Sequence, residues 1–277
     1  MLPVSAVIIT FNEEDNLRLS LPKLYWCDEI IIVDCGSNDN TVKICNQYQC
    51  NIHYRMFDDY SRQKKYAVSL AKNDWVLCLD ADETLSDKLV EELKIEMCAP
   101  VADGYLMPLA LIFMGKEFRY GKEAHHHFLR LFNREKGNFN DNMLHEKIAV
   151  KGNTKKLSNK VYHYSYKSIE HYFYKFNRYS SKGAEMALIK GKQRSSLAIV
   201  LSIPFYFCKY YFLERNFMNG LHGFSWSVLS AYYHFVKYLK LREAHLQKIE
   251  MDELGIPVSD LLNIKSQPRR LQNQLSE

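Results

Sequence analysis

The sequence predicts an α/β fold built on a mostly parallel central sheet, with flanking helices and a helical region appended after it. Three observations carry that reading. Val4–Thr10 and residues 29–33 are short runs rich in valine and isoleucine, separated by an apolar helical face at Leu17, Leu21 and Leu24. Strand, helix and strand at this spacing make a right-handed βαβ unit whose strands lie parallel. Residues 75–79, five apolar residues in succession, read as a third strand buried on both faces. Each of these strands stops in a polar turn: Thr10 before Phe11-Asn12-Glu13-Glu14, Asp34 before Cys35-Gly36-Ser37, and Asp80-Ala81-Asp82-Glu83. Ligands of open parallel sheets collect at the strands' carboxyl ends, so the three turns are expected to share one site.

The remaining elements follow in order. A short helix is expected after Asp39-Asn40, and Asn51–Tyr54 is the next strand. Ser61 can cap a helix to about Lys72 with Ala67, Leu70 and Ala71 inward, and Ser86 one carrying Leu89, Val90 and Leu93. Residues 104–113 and 127–132 read as strands, residues 147–150 and 161–163 as shorter ones. His125-His126-His127 is expected to be a loop, since consecutive side chains point apart and rarely converge on one ion. Ser168 starts a helix with Ile169, Tyr172, Phe173 and Phe176 on one face. The expected division is 1–165 for the catalytic domain, 166–246 for a basic aromatic helical region, and 247–277 for a polar tail.

Asp80 and Asp82 lie two apart along an extended chain, which points both carboxylates to one side. Such a pair can share one hard divalent cation, and that ion helps a diphosphate to leave.

The runs V-S-A-V-I-I-T-F-N-E-E, I-I-I-V-D-C-G-S-N-D-N-T and D-W-V-L-C-L-D-A-D-E resemble glycosyltransferase family 2, the inverting enzymes of the Rossmann-like GT-A fold. The likeness covers roughly residues 1–100. The later runs R-L-F-N, L-H-E-K-I and V-Y-H-Y-S-Y-K-S resemble the branch holding bacterial lipopolysaccharide-core β-glucosyltransferases. That resemblance implies a nucleotide-sugar donor, a UDP-sugar first among them, and a cell-envelope glycan or lipid-linked acceptor. It also implies roles for named residues. Thr10 and Asn12 would line the base pocket, and Asp34 would hydrogen-bond the base or ribose. Glu13 would sit beside them, or simply in the first turn of a helix, where the dipole favours an acid. Lys64 stands where relatives often carry an arginine facing the nucleotide; the alternative is an exposed helix lysine. Asp82 would bind Mn²⁺ or Mg²⁺, with Asp80 nearer the ribose or a metal-bound water, and His163 is the matching candidate for a further ligand. Arg130 would contact diphosphate or a phosphorylated acceptor, or pair with a carboxylate. Relatives often carry the general base in an E-D or D-D pair. This chain has none in that interval, and Glu146 in His145-Glu146 takes its place, with Asp141 as the fallback.

Composition bounds the rest. Seven scattered cysteines without a C-x-x-C pair argue against zinc and disulfide frameworks and fit a reducing cytosol. The N-terminus enters a strand directly, so no secretion signal is expected. The net charge of +5 hides an asymmetry: residues 151–245 hold 16 lysines and arginines against 4 acidic residues, leaving the remainder net negative. That basic stretch is crowded with aromatics, which suits an anionic membrane surface or single-stranded nucleic acid. The run from Leu197 to Cys208 is apolar, but Pro204 interrupts it and Lys209 follows. A spanning helix wants about 20 apolar residues, so interfacial helices are expected, with packing on the catalytic domain or a homodimer contact as the alternatives. The expected place is the cytoplasm, peripheral on the inner face of the bacterial cytoplasmic membrane. A nucleotidyltransferase, which would carry a glycine-rich basic signature near the first strand, and an RNA-binding module, which would leave both aspartate turns idle, are the competing readings. The favoured one has no nucleic acid as partner.

Overall fold

The computed structural model describes residues 1–139 and 148–253, with side chains to residue 247. Asp141, His145 and Glu146 lie outside the described residues, as does the chain after residue 253. The chain divides into two compact units, Met1–Lys167 and a second beginning at Ser168.

In the first unit the strands β1 (Val4–Thr10), β2 (Glu29–Asp34), β3 (Asn51–Tyr54) and β4 (Trp75–Asp80) run parallel in the order β3-β2-β1-β4. Short β5 (Glu83–Leu85) follows the D-A-D turn, and β6 (Gly104–Phe113) is the longest strand. The two-residue β7 (Lys116–Glu117) folds back on β6, and β8 (His126–Asn133) lies antiparallel between β4 and β6. Beyond them β9 (Gly137–Phe139) pairs with β10 (Ile148–Val150), β11 (Thr154–Lys156) with β6, and β12 (Val161–His163) with both β6 and β5. The sheet is thus mixed, parallel over its first four strands. Val7, Val76 and Cys78 face one buried layer, and Ile8, Leu77 and Leu79 the other. A strand covered on both faces must be apolar on both.

Helices α1 (Glu14–Ser20), α2 (Thr41–Gln47), α3 (Tyr60–Ser69) and α4 (Asp87–Glu96), with the single turn α5 (Lys122–His125), complete the unit. Ser86 caps α4, accepting from Leu89 N at 3.2 Å. The cap expected at Ser61 falls instead on Asp59, whose carboxylate accepts from Arg62 N at 2.8 Å, and Ser61 is buried inside α3. An extended aspartate two residues earlier satisfies the free amide first. His126 departs from expectation, since strand β8 begins there, one residue before the expected start at His127, rather than after a loop.

The second unit holds α6 (Ile169–Ile189), capped by Ser168, then α7 (Ser196–Cys208), capped by Ser195, and the long α8 (Leu221–Glu253). Pro204 does not end α7. The helix carries on through a wider π turn, Lys209–Leu213, so the run Ser196–Leu213 is long and apolar enough to cross a membrane by length and composition. The interruption expected at Pro204 and Lys209 is therefore not one of backbone. A 3₁₀ turn, Asn216–Asn219, leads into α8. There Gly223 is required: a Cβ on it would lie 1.8 Å from the Asn216 carbonyl oxygen.

Candidate active site

Register builds the site. Thr10 is level with Asp34 across β1 and β2, Asp34 with Tyr54 across β2 and β3, and Ile9 with Asp80 across β1 and β4. All three polar turns therefore open at the carboxyl edge of the parallel strands.

Hydrogen bonds fix the first two turns to each other. Asp34 folds back on its own turn, accepting from Gly36 N at 2.8 Å, Ser37 N at 2.9 Å and Ser37 Oγ at 2.5 Å. Gly36 has φ of +97°, which a side chain would strain. Asn12, itself left-handed at φ +55°, accepts from Asn38 N at 2.9 Å, and its own amide donates to Ser37 Oγ at 2.9 Å. Glu13 accepts from Asn16 Nδ2 at 2.7 Å and lies 3.4 Å from Lys167 Nζ, which also reaches the Asn12 carbonyl at 3.3 Å. Thr10 is buried and its hydroxyl oxygen has no partner among the described residues. A hydroxyl shielded from water and unpaired costs free energy until something bonds to it.

The third turn divides its two aspartates. Asp80 is bracketed by cations, Lys64 Nζ at 2.6 Å from Oδ1 and Arg130 at 2.9 Å from Oδ2. Arg130 also bonds Glu83, which is fully buried and accepts from the Asp80 amide at 3.1 Å. The four charges balance. Burial works against charge on Asp80, but Lys64 and Arg130 outweigh it and hold the carboxyl well below the usual range. Burial pushes Glu83 up. Lys64 is buried rather than an exposed helix lysine, and Asp80 opposes its desolvation and holds it charged. About a third (33%) of the Asp80 side chain stays open to solvent, so it remains reachable.

Asp82 lies in the turn between β4 and β5. Antiparallel pairing of β12 with β5 sets His163 opposite Glu83, and Tyr164 N donates to the Asp82 carbonyl at 2.8 Å. His163 Nε2 thereby comes within 3.3 Å of Asp82 Oδ2. Burial alone would depress this imidazole, but Asp82, helped by Glu83 and Asp80, raises it.

No group of three or more histidine, cysteine or acidic side chains converges among the described residues. Among the described residues, Asp82 and His163 offer a cation one carboxylate and one imidazole nitrogen, side by side. A divalent ion bound through diphosphate oxygens and water needs only one or two protein ligands, so Asp82 and His163 fit one. Asp80, held by two cations, is not grouped with them.

Of the expected residues, Thr10, Asn12, Glu13 and Asp34 come together in one pair of loops, and Lys64, Asp80 and Arg130 in one ion cluster. Asp82 pairs with His163, and Glu146 lies outside the described residues. Glu83 and Lys167 were not singled out from sequence. An acid directly after D-A-D, between two buried segments, was the available signal for Glu83; nothing local marks Lys167.

The family model for glycosyl transferase family 2 matches residues 5–181. The chain belongs to that family. An uncharacterised glycosyltransferase of Rickettsia typhi is 30% identical, with 96% of each chain covered. The lipopolysaccharide core biosynthesis glycosyltransferase LpsC of Rhizobium meliloti is 29% identical over 89% of this chain and 94% of its own. Among solved structures, Staphylococcus aureus TarS 1-349 aligns at 15% identity and TM-score 0.43, covering 89% of this chain and 92% of that one. This family 2 glycosyltransferase has a GT-A catalytic unit, in which a mixed sheet flanked by helices carries the site at its parallel end.

Proposed function

We propose that this glycosyltransferase transfers a sugar, with inversion, from a nucleotide-diphosphate donor to a cell-envelope glycan or lipid-linked acceptor, with a divalent cation at Asp82 and His163. The observation that carries the reading is the approach of Asp82 to His163 beside the two joined turns. It sets a carboxylate and an imidazole where a donor's diphosphate would lie if its nucleoside met Thr10, Asn12 and Asp34. A resident Mn²⁺ or Mg²⁺ would neutralise charge on the leaving diphosphate, and an imidazole ligand favours Mn²⁺. Asp80 is reachable for a ribose hydroxyl, while Lys64 and Arg130 act on it rather than directly on phosphate.

Glu146 is the proposed general base. It takes the proton of the acceptor hydroxyl as that oxygen bonds to the anomeric carbon, and the bond to the nucleoside diphosphate breaks on the opposite face. The name of the Rhizobium relative supports a lipopolysaccharide-core acceptor. An envelope acceptor fits action at the cytoplasmic face of the membrane. Family membership leaves nucleotidyl transfer and RNA binding without support. The test is a thermal-shift panel of UDP-, GDP-, CDP- and ADP-sugars with and without Mn²⁺. One nucleotide, UDP by this reading, should raise the midpoint only when Mn²⁺ is present; no response to any of them would refute it.

A further inference from the structure

The second unit is apolar on its outside. Helices α7 and α8 form an antiparallel hairpin, with Ser196 meeting Arg242, Tyr206 meeting Tyr238 and Tyr210 meeting His234. Between and beneath them Ile199, Ala231, Tyr238 and Leu241 are buried together with the polar Ser202, Asn216, Asn219 and Ser227. The outer surface is apolar as well. Of the 18 residues Ser196–Leu213 only Ile199 and Ser202 are buried. Leu197, Leu201 and Phe205 recur every four residues along α7, and Leu221, Phe224 and Val228 at helical spacing along α8, all exposed. A helix pair facing water would turn polar residues outward, and an apolar surface of this extent marks a contact.

Charge identifies the occupant. Across residues 196–242 Glu214 is the sole acidic residue, against Lys209, Arg215, Lys237, Lys240 and Arg242. The cation in the middle of the apolar run, Lys209, lies over the rings of Tyr206 and Tyr210 at 5.9 and 5.6 Å, so its stem runs along aromatic surface. Cations of this kind can reach headgroups while their stems stay in apolar surroundings. A spanning hairpin would need both helices long and apolar enough to cross. Among the described residues only Ser196–Leu213 is, whereas α8 carries His222, Ser225, Ser227, Ser230 and His234 along its first half.

We infer that the α7–α8 hairpin lies in the plane of an anionic bilayer, with the outward stripes of both helices sunk below the headgroups and its cations at their level. The inference rests on the envelope-acceptor reading only for its biological sense, and its physical argument is independent.

The experiment uses the full chain with vesicles of phosphatidylcholine, alone or mixed with phosphatidylglycerol. A polarity-sensitive maleimide dye is placed on Cys208, which is exposed on α7, in a Cys98→Ser background that removes the other exposed thiol. Flotation with the mixed vesicles should persist at 1 M salt, weakened but not abolished, with a blue shift of the dye. The triple change Leu201→Ser, Phe205→Ser, Leu221→Ser should weaken partitioning on the order of 30-fold or more, since each loses apolar area otherwise buried in lipid. Binding lost entirely in salt with an unshifted dye would overturn the inference, leaving charge attraction alone. So would absence of vesicle binding together with a concentration-dependent dimer that the triple change dissolves. Should that variant not fold, the dye on the otherwise native face still decides. UDP-sugar binding measured without vesicles keeps a failure here distinct from failure of the enzymatic reading.

Discussion

Asp80 and Asp82, two residues apart at the end of β4, serve opposite partners: Asp80 is clamped between Lys64 and Arg130, and Asp82 faces His163. The motif therefore works as two devices. One carboxylate belongs to a balanced ion cluster that fixes the end of β4, and the other is left to a nitrogen donor that could share a cation with it.

The cluster makes a prediction about folding. Arg130→Met strips fully buried Glu83 of its cation, and breaking a buried pair costs about 3–5 kcal/mol. Urea unfolding of Arg130→Met should show a loss of that order, and the double change Arg130→Met, Glu83→Gln should lose less than the two single losses added together. Additive losses would mean the pair is not coupled.

Thr10 separates stability from binding. Its hydroxyl is buried without a partner among the described residues, so Thr10→Val should leave unfolding stability unchanged or slightly higher. If that hydroxyl meets the nucleotide, the same change weakens nucleoside-diphosphate binding on the order of tenfold. Calorimetry on the folded variant checks it, and equal affinity would remove Thr10 from the pocket.

Much of this was legible in the sequence because the relevant signals are local. β1, β2 and β4 announced themselves as apolar runs, and the turns after them by composition. Where an outcome depended on distant chain, the sequence was silent or misleading. Lys64 could not be told from a solvated helix lysine, because the Asp80 it pairs with lies on a strand distant in sequence. Glu83 stood next to the motif, yet its partner Arg130 is 47 residues away. Pro204 suggested an interruption, since proline removes a backbone hydrogen bond, but the helix absorbs it and continues through a π turn.

Glu146 carries the chemical prediction. Glu146→Gln should leave donor affinity nearly intact while lowering transfer on the order of 10²-fold or more, as loss of a general base does. Single-turnover transfer beside donor titration measures both. A loss of that size at Asp141→Asn, with none at Glu146→Gln, would move the base to Asp141.

His234 in the hairpin gives a pH dependence. Burial, with Lys237 and Lys209 nearby, depresses its pKa to about 4, and its other neighbours are the neutral rings of Tyr206, Tyr210, Tyr233 and Tyr238. The folded state thus prefers the neutral ring, whereas the unfolded chain takes up a proton near pH 6.5. Stability from this group is full above 6.5 and lost as the pH falls toward 4. The difference in melting midpoint between the native chain and His234→Gln should shrink across that window. A constant difference would show that the ring's protonation does not matter.

The most direct test of the active-site account is titration calorimetry of nucleoside diphosphate binding to Asp82→Asn, with and without Mn²⁺. This change keeps the side chain's shape and removes its charge, leaving Asp80 in its cluster. The account predicts that the native protein binds UDP more tightly when Mn²⁺ is present and that Asp82→Asn loses that response. Unchanged metal-dependent binding in the variant would contradict it.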